Sequence, residues 1–348
     1  MADGLSALSE QSRRPKSSPK QLDEVTTCVL IRLKLRHPTW GPKKLRAVYA
    51  REHSAVPSIS TCQRVLRRAG LIEPRRRRIR KADARMTSGV VAKAPNEVWT
   101  VDFKGWWRLG DGCRCEPLTI RDAFSRFVLA VRVPSGTDTA SIQAEFVRVF
   151  QTYGLPKVIR SDNGSPFAAK GSPWGLSRLS AWWVTLGIEL DRGRPAHPQD
   201  NGAHERVHKD IEAELARYVQ PNARSQQAAC EVWREEFNWE RPHDSLGGRC
   251  PGEIYHKSER LYRPDSIRVD YGPGFFLRKV TRLGTLKWRQ DQIFVSSAIA
   301  GCEVGLRIVS SDTLEVWLNY LLLGTIELQT KSFRGAPSRA TEAPRLSA

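Results

Sequence analysis

The feature that most constrains this chain is a change of period at Glu97. Val98, Thr100 and Asp102 alternate with Trp99, Val101 and Phe103, the pattern of a strand buried in a core. A strand near 115–121, a turn at Asp122-Ala-Phe-Ser125 and a strand from Phe127 to Val133 predict an antiparallel meander with the first. Thr139–Tyr153 then carries Ile142, Phe146, Val149 and Phe150 at helical spacing and ends at Gly154-Leu-Pro156. Lys157–Arg160 is a short strand running into Ser161-Asp162-Asn163-Gly164, where Asn-Gly marks a sharp turn. A helix near 176–186, a strand near 188–192 and helices near 202–218 and 225–239 follow, closing at Arg241-Pro242-His243. This order predicts a mixed five-stranded sheet with flanking helices, its first and fourth strands side by side.

That arrangement brings Asp102 together with Asp162 at a strand end. It sets Glu205, in the first turn of the helix opened by Asn201-Gly202, opposite both. Three carboxylates so placed repel one another and raise one another's pKa unless cations sit among them. Hard, oxygen-preferring Mg²⁺ or Mn²⁺ suits such ligands. Two ions about 4 Å apart are the recurrent machinery of phosphodiester chemistry and need no protein nucleophile. The metal-free use of paired carboxyls, as in glycoside hydrolysis, stays open on spacing alone, although nothing else points to a sugar cleft. Asp122 reads as a cap on turn amides. His197, His204 and His208 read as structural, since Mg²⁺ rarely chooses imidazole. Arg206 and Lys209, on the same helix as Glu205, either hold phosphates beside the scissile bond or are solvated helix charges.

The flanks supply a partner. A formal net charge of +19 draws polyanions, and nucleic acid is the first of these. Residues 1–21 form a polar tail without a signal-peptide core, and the absence of a long apolar run predicts a cytoplasmic protein with no membrane partner. Residues 22–72 read as three short helices. The first runs from Leu22 through Val25, Val29 and Leu33 to His37-Pro38, and the second follows Gly41-Pro42 and bears Lys43 and Lys44. The third is capped by Ser60 with Gln63. A helix-turn-helix module fits them, the third helix offering Gln63, Arg64, Arg67 and Arg68 to a major groove; a helical bundle with a solvated basic face is the alternative. Arg75, Arg76, Arg77, Arg78, Arg80 and Lys81 make residues 73–95 a basic linker suited to DNA phosphates. The α/β domain spans 96–262. Short strands separated by polar or glycine turns in 265–332 predict a small all-β barrel, and 333–348 a disordered tail. Seven scattered cysteines suit a reducing compartment, and Cys113 and Cys115, with no second pair at zinc spacing, belong to a hairpin.

Four motifs then make the reading specific: Trp99-Thr-Val-Asp102-Phe, Asp122-Ala-Phe-Ser-Arg126, Arg160-Ser-Asp162-Asn-Gly164 and Pro198-Gln-Asp-Asn-Gly-Ala-His-Glu205-Arg206. They resemble the motif series of bacterial insertion-sequence transposases, members of the DDE or retroviral-integrase superfamily. Phe237-Asn-Trp-Glu-Arg241-Pro242-His243, with Leu246 and Pro251, resembles the end of that family's core. The segment His37 to Leu45, with Ser58-Ile-Ser60, resembles its helix-turn-helix.

The resemblance implies an RNase H-like core in which Asp102, Asp162 and Glu205 hold two Mg²⁺ or Mn²⁺ ions. It implies strand cleavage followed by joining, with double-stranded DNA as partner, both terminal inverted repeats and target, and a homo-oligomer of two or more copies. Two departures stand out. The interval from Asp162 to Glu205 is longer than is usual in retroviral integrases, the excess falling in a predicted surface loop at Phe167–Leu176, and no His-His-Cys-Cys zinc module precedes the core. A non-catalytic DNA-binding regulator and a nuclease that cuts without joining remain the rival readings.

Overall fold

A computed structural model describes residues 22–73, 89–192, 202–264 and 269–336. The expected N-terminal tail, all but the first four residues of the expected C-terminal one, the basic run Arg75 to Lys81 and His197 lie outside the described residues. The described chain forms two compact units, the N-terminal helices and everything from residue 89 onward. No helix among the described residues is long and apolar enough to cross a membrane.

The first unit holds α1 (Glu24–Arg36), α2 (Pro42–Glu52) and α3 (Ile59–Arg68). Asp23 caps α1 by accepting from the Thr26 amide at 2.7 Å, and Pro42 opens α2, where a missing N–H costs nothing. Helix α3 starts two residues earlier than the sequence suggests. Ser58 rather than Ser60 accepts from the Thr61 amide, because Pro57 already holds the chain extended there. Leu30, Tyr49 and Cys62 form one small core and Trp40, Leu45 and Leu66 another, so each helix contributes to holding the unit together. Gln63, Arg64, Arg67 and Arg68 all stand exposed on α3.

The second unit is built on β1 (Val98–Phe103), the ribbon β2 (Trp107–Arg108) and β3 (Arg114–Cys115), β4 (Leu118–Asp122), β5 (Val128–Arg132), α4 (Thr139–Tyr153), β6 (Val158–Ser161), α5 (Arg178–Thr185), β7 (Glu189–Arg192), α6 (Gly202–Ile211) and α7 (Ala223–Glu235). Its main sheet runs β5-β4-β1-β6-β7, antiparallel through the meander and parallel from β1 to β7. This is the predicted mixed five-stranded sheet with flanking helices. Alternation along β1 divides its residues between two faces. Trp99 and Val101 enter the core with Ile120 and the apolar sides of α4 and α5. On the sheet's other side Val128 and Val131 pack with Val207, Ile211 and Leu215 of the α6 region and with Cys230, Trp233 and Phe237.

Each of the last two helices finishes in a π turn, Glu212–Ala216 and Glu236–Glu240, where unbroken α-helix was expected. The wider turn after α6 coincides with Glu214 accepting from Trp233 Nε1 at 2.6 Å and pairing with Arg241. The Arg241 guanidinium, almost wholly buried, also reaches Asp210 at 2.9 Å.

Beyond residue 269 come β8 (Phe275–Lys279), β9 (Thr285–Trp288), β10 (Asp291–Phe294), β11 (Glu303–Ser310), β12 (Thr313–Leu318), β13 (Leu321–Glu327) and β14 (Ser332–Gly335). They make a five-stranded antiparallel sheet, β14-β13-β12-β11-β8, and a separate ribbon β10-β9. The ribbon meets both edges of the sheet, through Arg278 donating to the Lys287 carbonyl and through Lys331 paired with Asp291 at 2.8 Å. Strand β14 occupies residues expected to be tail.

The segment Phe167–Leu176 is not the free surface loop that its small residues suggested. Phe167 is buried in the core under the main sheet, while Leu176, with Ala181 and Val184 of α5, shares a core with Leu306, Leu314 and Val316 of the C-terminal sheet. Trp174 Nε1 donates to the Leu322 carbonyl at 2.7 Å, and Tyr320 OH donates to Ile188 O at 2.9 Å.

Candidate active site

Strands β1 and β6 run parallel with Val98 opposite Val158, Trp99 opposite Ile159 and Thr100 opposite Arg160. Continued two residues, this register sets Asp102 beside Asp162, on neighbouring chains whose usual spacing is about 4.8 Å. Asp102 is half-buried within the central strand. Asp162 is exposed just past the end of β6, where its Oδ1 accepts from the Gly164 amide at 3.1 Å. Here Asn163-Gly164 turns the chain back over its own aspartate. Glu205 stands half-buried in the first turn of α6, near a helix N-terminus that favours negative charge.

Burial, followed by the charge of Asp162 and more weakly by that of Glu205, pushes the Asp102 carboxyl up to about 7. The three acids therefore share one electrostatic environment, with Asp102 and Asp162 the more strongly coupled pair. Oxygen donors of this kind suit a hard divalent cation, and positive charge beside Asp102 would remove the repulsion that holds its proton. Among the described residues no three His, Cys, Asp or Glu side chains are gathered closely enough to hold an ion between them. The donor set fits in kind, with Glu205 acting more weakly on Asp102 than Asp162 does.

The residues packed round these acids were not singled out as functional by sequence reasoning. Thr119 lies directly across from Asp102 on β4. Its hydroxyl donates to the Asp102 carbonyl at 2.8 Å and also meets His204 Nε2 at 2.6 Å and His208 Nε2 at 2.8 Å. His204 Nδ1 meets the Thr100 hydroxyl at 2.8 Å. His204 is wholly buried and held neutral, its pKa driven well below the usual value by burial and then by His208 and Arg121. Burial, then Lys104 and Arg121, lowers His208 to about 4. His208 Nδ1 approaches Asp102 Oδ2 at 3.9 Å. The readable signal was the i, i+4 spacing of two histidines about Glu205, together with a threonine two residues before Asp102.

Asp122 is fully buried and accepts from the Ser125 amide and hydroxyl at 2.7 and 2.6 Å and from the Asn96 amide at 2.8 Å, the turn-capping arrangement expected of it. Arg206 and Lys209 are exposed on α6, Arg206 facing Asp210 at 3.7 Å. Lys43 is exposed and Lys44 half-buried in the first turn of α2. Cys113, in the turn of the β2–β3 ribbon, and Cys115, on β3 itself, carry free thiols. On that ribbon Trp107 packs toward α7 while Trp106 is 54% exposed, with Arg108 and Arg114 over its ring. The start of the core is pinned where Arg160 donates to the Val90 carbonyl at 2.7 Å and pairs with Asp191 at 2.6 Å.

Two family models, both described as integrase core domain, match this chain over residues 92–198 and 186–251. The uncharacterized 31.7 kDa protein of insertion element IS407 from Burkholderia multivorans is 26% identical over 254 residues, covering 73% of this chain and 88% of that protein. The uncharacterized 39.2 kDa protein of insertion element IS476 from Xanthomonas euvesicatoria is 23% identical over 273 residues, covering 78% of this chain and 76% of its own. Among solved structures, the HTLV-2 integrase catalytic core domain in complex with magnesium aligns with 18% identity and a TM-score of 0.38, over 48% of this chain and all of that one.

Proposed function

Because this chain belongs to the insertion-sequence transposases of the integrase-core superfamily, we propose that it binds the terminal inverted repeats of a mobile element and catalyses metal-dependent cleavage and transfer of DNA strands. Asp102, Asp162 and Glu205 are the acids in this reading. The observation that carries it is the parallel β1–β6 register that brings Asp102 beside Asp162, with Asp102 raised to about 7 by burial and by the two other carboxylates.

Two divalent ions, Mg²⁺ or Mn²⁺, would supply activation of the attacking oxygen and stabilisation of the leaving one. The chain itself does the placing. Asp102 presents its carboxylate from a strand paired on both sides, Asp162 is oriented by the Gly164 amide, and Glu205 is delivered by α6. Arg206, directly after Glu205, and Lys209, one turn along, hold phosphate oxygens next to the scissile bond. The exposed Gln63, Arg64, Arg67 and Arg68 of α3, with Lys43 and Lys44 of α2, contact the repeat, and the arginine run that follows neutralises backbone phosphates. Two element ends are joined in one complex, so the working form is a dimer or larger.

The test is incubation of the purified protein with labelled terminal-repeat DNA and Mg²⁺, repeated with Asp162→Ala. Cleaved and joined products are expected from the unmodified protein, with loss of both in the variant while DNA binding persists. Tight binding without metal-dependent cleavage would instead identify a regulator, and cleavage without joining a nuclease. A fully active Asp162→Ala protein would sink the assignment of the acids.

A further inference from the structure

Thr119 stands at a crossing of three elements. A hydroxyl has one proton, and here it goes to the Asp102 carbonyl at 2.8 Å. The two imidazole nitrogens that also meet this oxygen, Nε2 of His204 and Nε2 of His208, must then both be donors. That fixes both tautomers. With its proton on Nε2, neutral His204 has an accepting Nδ1, and the Thr100 hydroxyl donates to it at 2.8 Å, a better bond than its 3.4 Å approach to the Arg121 carbonyl. Every polar atom of the fully buried His204 ring is thereby committed to the sheet.

The geometry ties the two kinds of acid together. Thr100 and Thr119 lie on the face of the sheet toward α6, the face to which Asp102 belongs by alternation. His204 and His208 are one turn apart on α6 and touch edge to face, with ring centroids 4.8 Å apart. Glu205 is the residue between them that follows His204 directly. Apolar contacts of Val207 and Ile211 press α6 onto the sheet, but apolar contact alone permits sliding and rolling, whereas three short hydrogen bonds to two strands do not.

We propose that the Thr119 hydroxyl, with the imidazoles of His204 and His208, is a positioning device that fixes the rotation of α6 and so sets where Glu205 stands relative to Asp102. Thr119, His204 and His208 are positioning residues in this reading, and His208 Nδ1 also lies 3.9 Å from Asp102 Oδ2. The inference rests on the reading of Asp102, Asp162 and Glu205 as the acidic site.

The decisive comparison is Thr119→Val, which keeps the shape and removes the hydroxyl, against Thr119→Ser, which restores it. Both are made in the full chain and checked for folding by circular dichroism. Three quantities are measured: amide hydrogen exchange over residues 202–211, Mn²⁺ affinity by calorimetry without DNA, and cleavage rate with saturating terminal-repeat DNA. Thr119→Val is expected to speed exchange in the first turn of α6 at least tenfold, to weaken Mn²⁺ binding about tenfold and to slow cleavage to a similar extent, at unchanged DNA affinity. Thr119→Ser should return all three to within about threefold of the unmodified protein. Should Thr119→Val fail to fold, His204→Gln, whose side-chain amide offers a donor where Nε2 stood, is compared with His204→Leu in the same assays. Wild-type exchange and Mn²⁺ affinity in Thr119→Val or His204→Leu overturns the proposal, as does a serine or glutamine variant no better than its apolar counterpart. Failure of the parent reading is separate: the unmodified protein would then neither bind Mn²⁺ nor cleave, whatever Thr119 does to exchange in α6.

Discussion

Asp102 and Glu205 meet in one electrostatic environment, but they are held by scaffolds of opposite kind. Asp102 sits in a central strand with β4 on one side and β6 on the other, so its backbone is fixed by ladders in both directions. Glu205 sits three residues into a helix that touches the sheet through side chains only, Val207 and Ile211 for apolar contact and His204 and His208 for direction. A ladder leaves one register available, since a slip of one residue would send Asp102 to the opposite face. A helix lying across a sheet has no such quantum, and its placement rests on the three side-chain hydrogen bonds that hold it. The site thus joins a half held by backbone ladders to a half held by side chains.

The sharpest way to break this comparison is to change side-chain length by one methylene on each side. Asp102→Glu, which the strand cannot accommodate by moving, should slow DNA cleavage about 100-fold or more, and Glu205→Asp only about tenfold, because a helix held by side chains yields more than a strand paired on both sides. Equal losses in a single-turnover cleavage assay would show that the two scaffolds are equally stiff.

Acidity offers a second handle. The folded-state pKa of Asp102, about 7, lies above its ordinary 3.8, so between about pH 4 and pH 7 the metal-free folded protein binds more protons than the unfolded chain. Its stability should fall as pH rises through that window. Cation binding must displace this proton below pH 7, so the rise in Tm given by Mn²⁺ should be larger at pH 8 than at pH 6, and Asp102→Asn should flatten the difference. An equal shift at both pH values would sink the link between Asp102 and the cation. The smallest effect on rate is expected from the N-terminal helices. Arg67→Ala should weaken binding to terminal-repeat DNA about tenfold, read by fluorescence anisotropy, while cleavage of pre-cut ends at saturating DNA changes little. Unchanged affinity for the repeat would remove α3 from the interface.

The parts of the molecule legible in its sequence are those governed by local rules. Thr139–Tyr153 is a helix over the predicted residues because Asp138 caps its start and Gly154, at φ 80°, ends it. Asp102 and Asp162 were visible from strand alternation and from Asn163-Gly164. What depended on distant partners was not visible. The strand expected at 115–121 is two strands, since Cys115 pairs with Trp107 in a ribbon of its own while Leu118 begins the ladder to β1. Phe167 and Leu176 lie in glycine- and serine-rich surroundings that argue for solvent, yet each enters a core supplied by elements far along the chain. His204 looked ordinary because nothing local says that two threonines on different strands converge on its ring.

The join between the main sheet and the C-terminal one carries a consequence for inheritance. Leu176, Ala181 and Val184 lie within the span matched by the integrase-core family, yet their apolar neighbours Leu306, Leu314 and Val316 lie outside it. A recombination event that exchanged everything after Pro264 for an unrelated sequence would leave a catalytic fold with part of α5 facing water. Substitutions on α5 and on β11 and β12 are therefore expected to be coupled, each tolerated best with a matching change across the shared core.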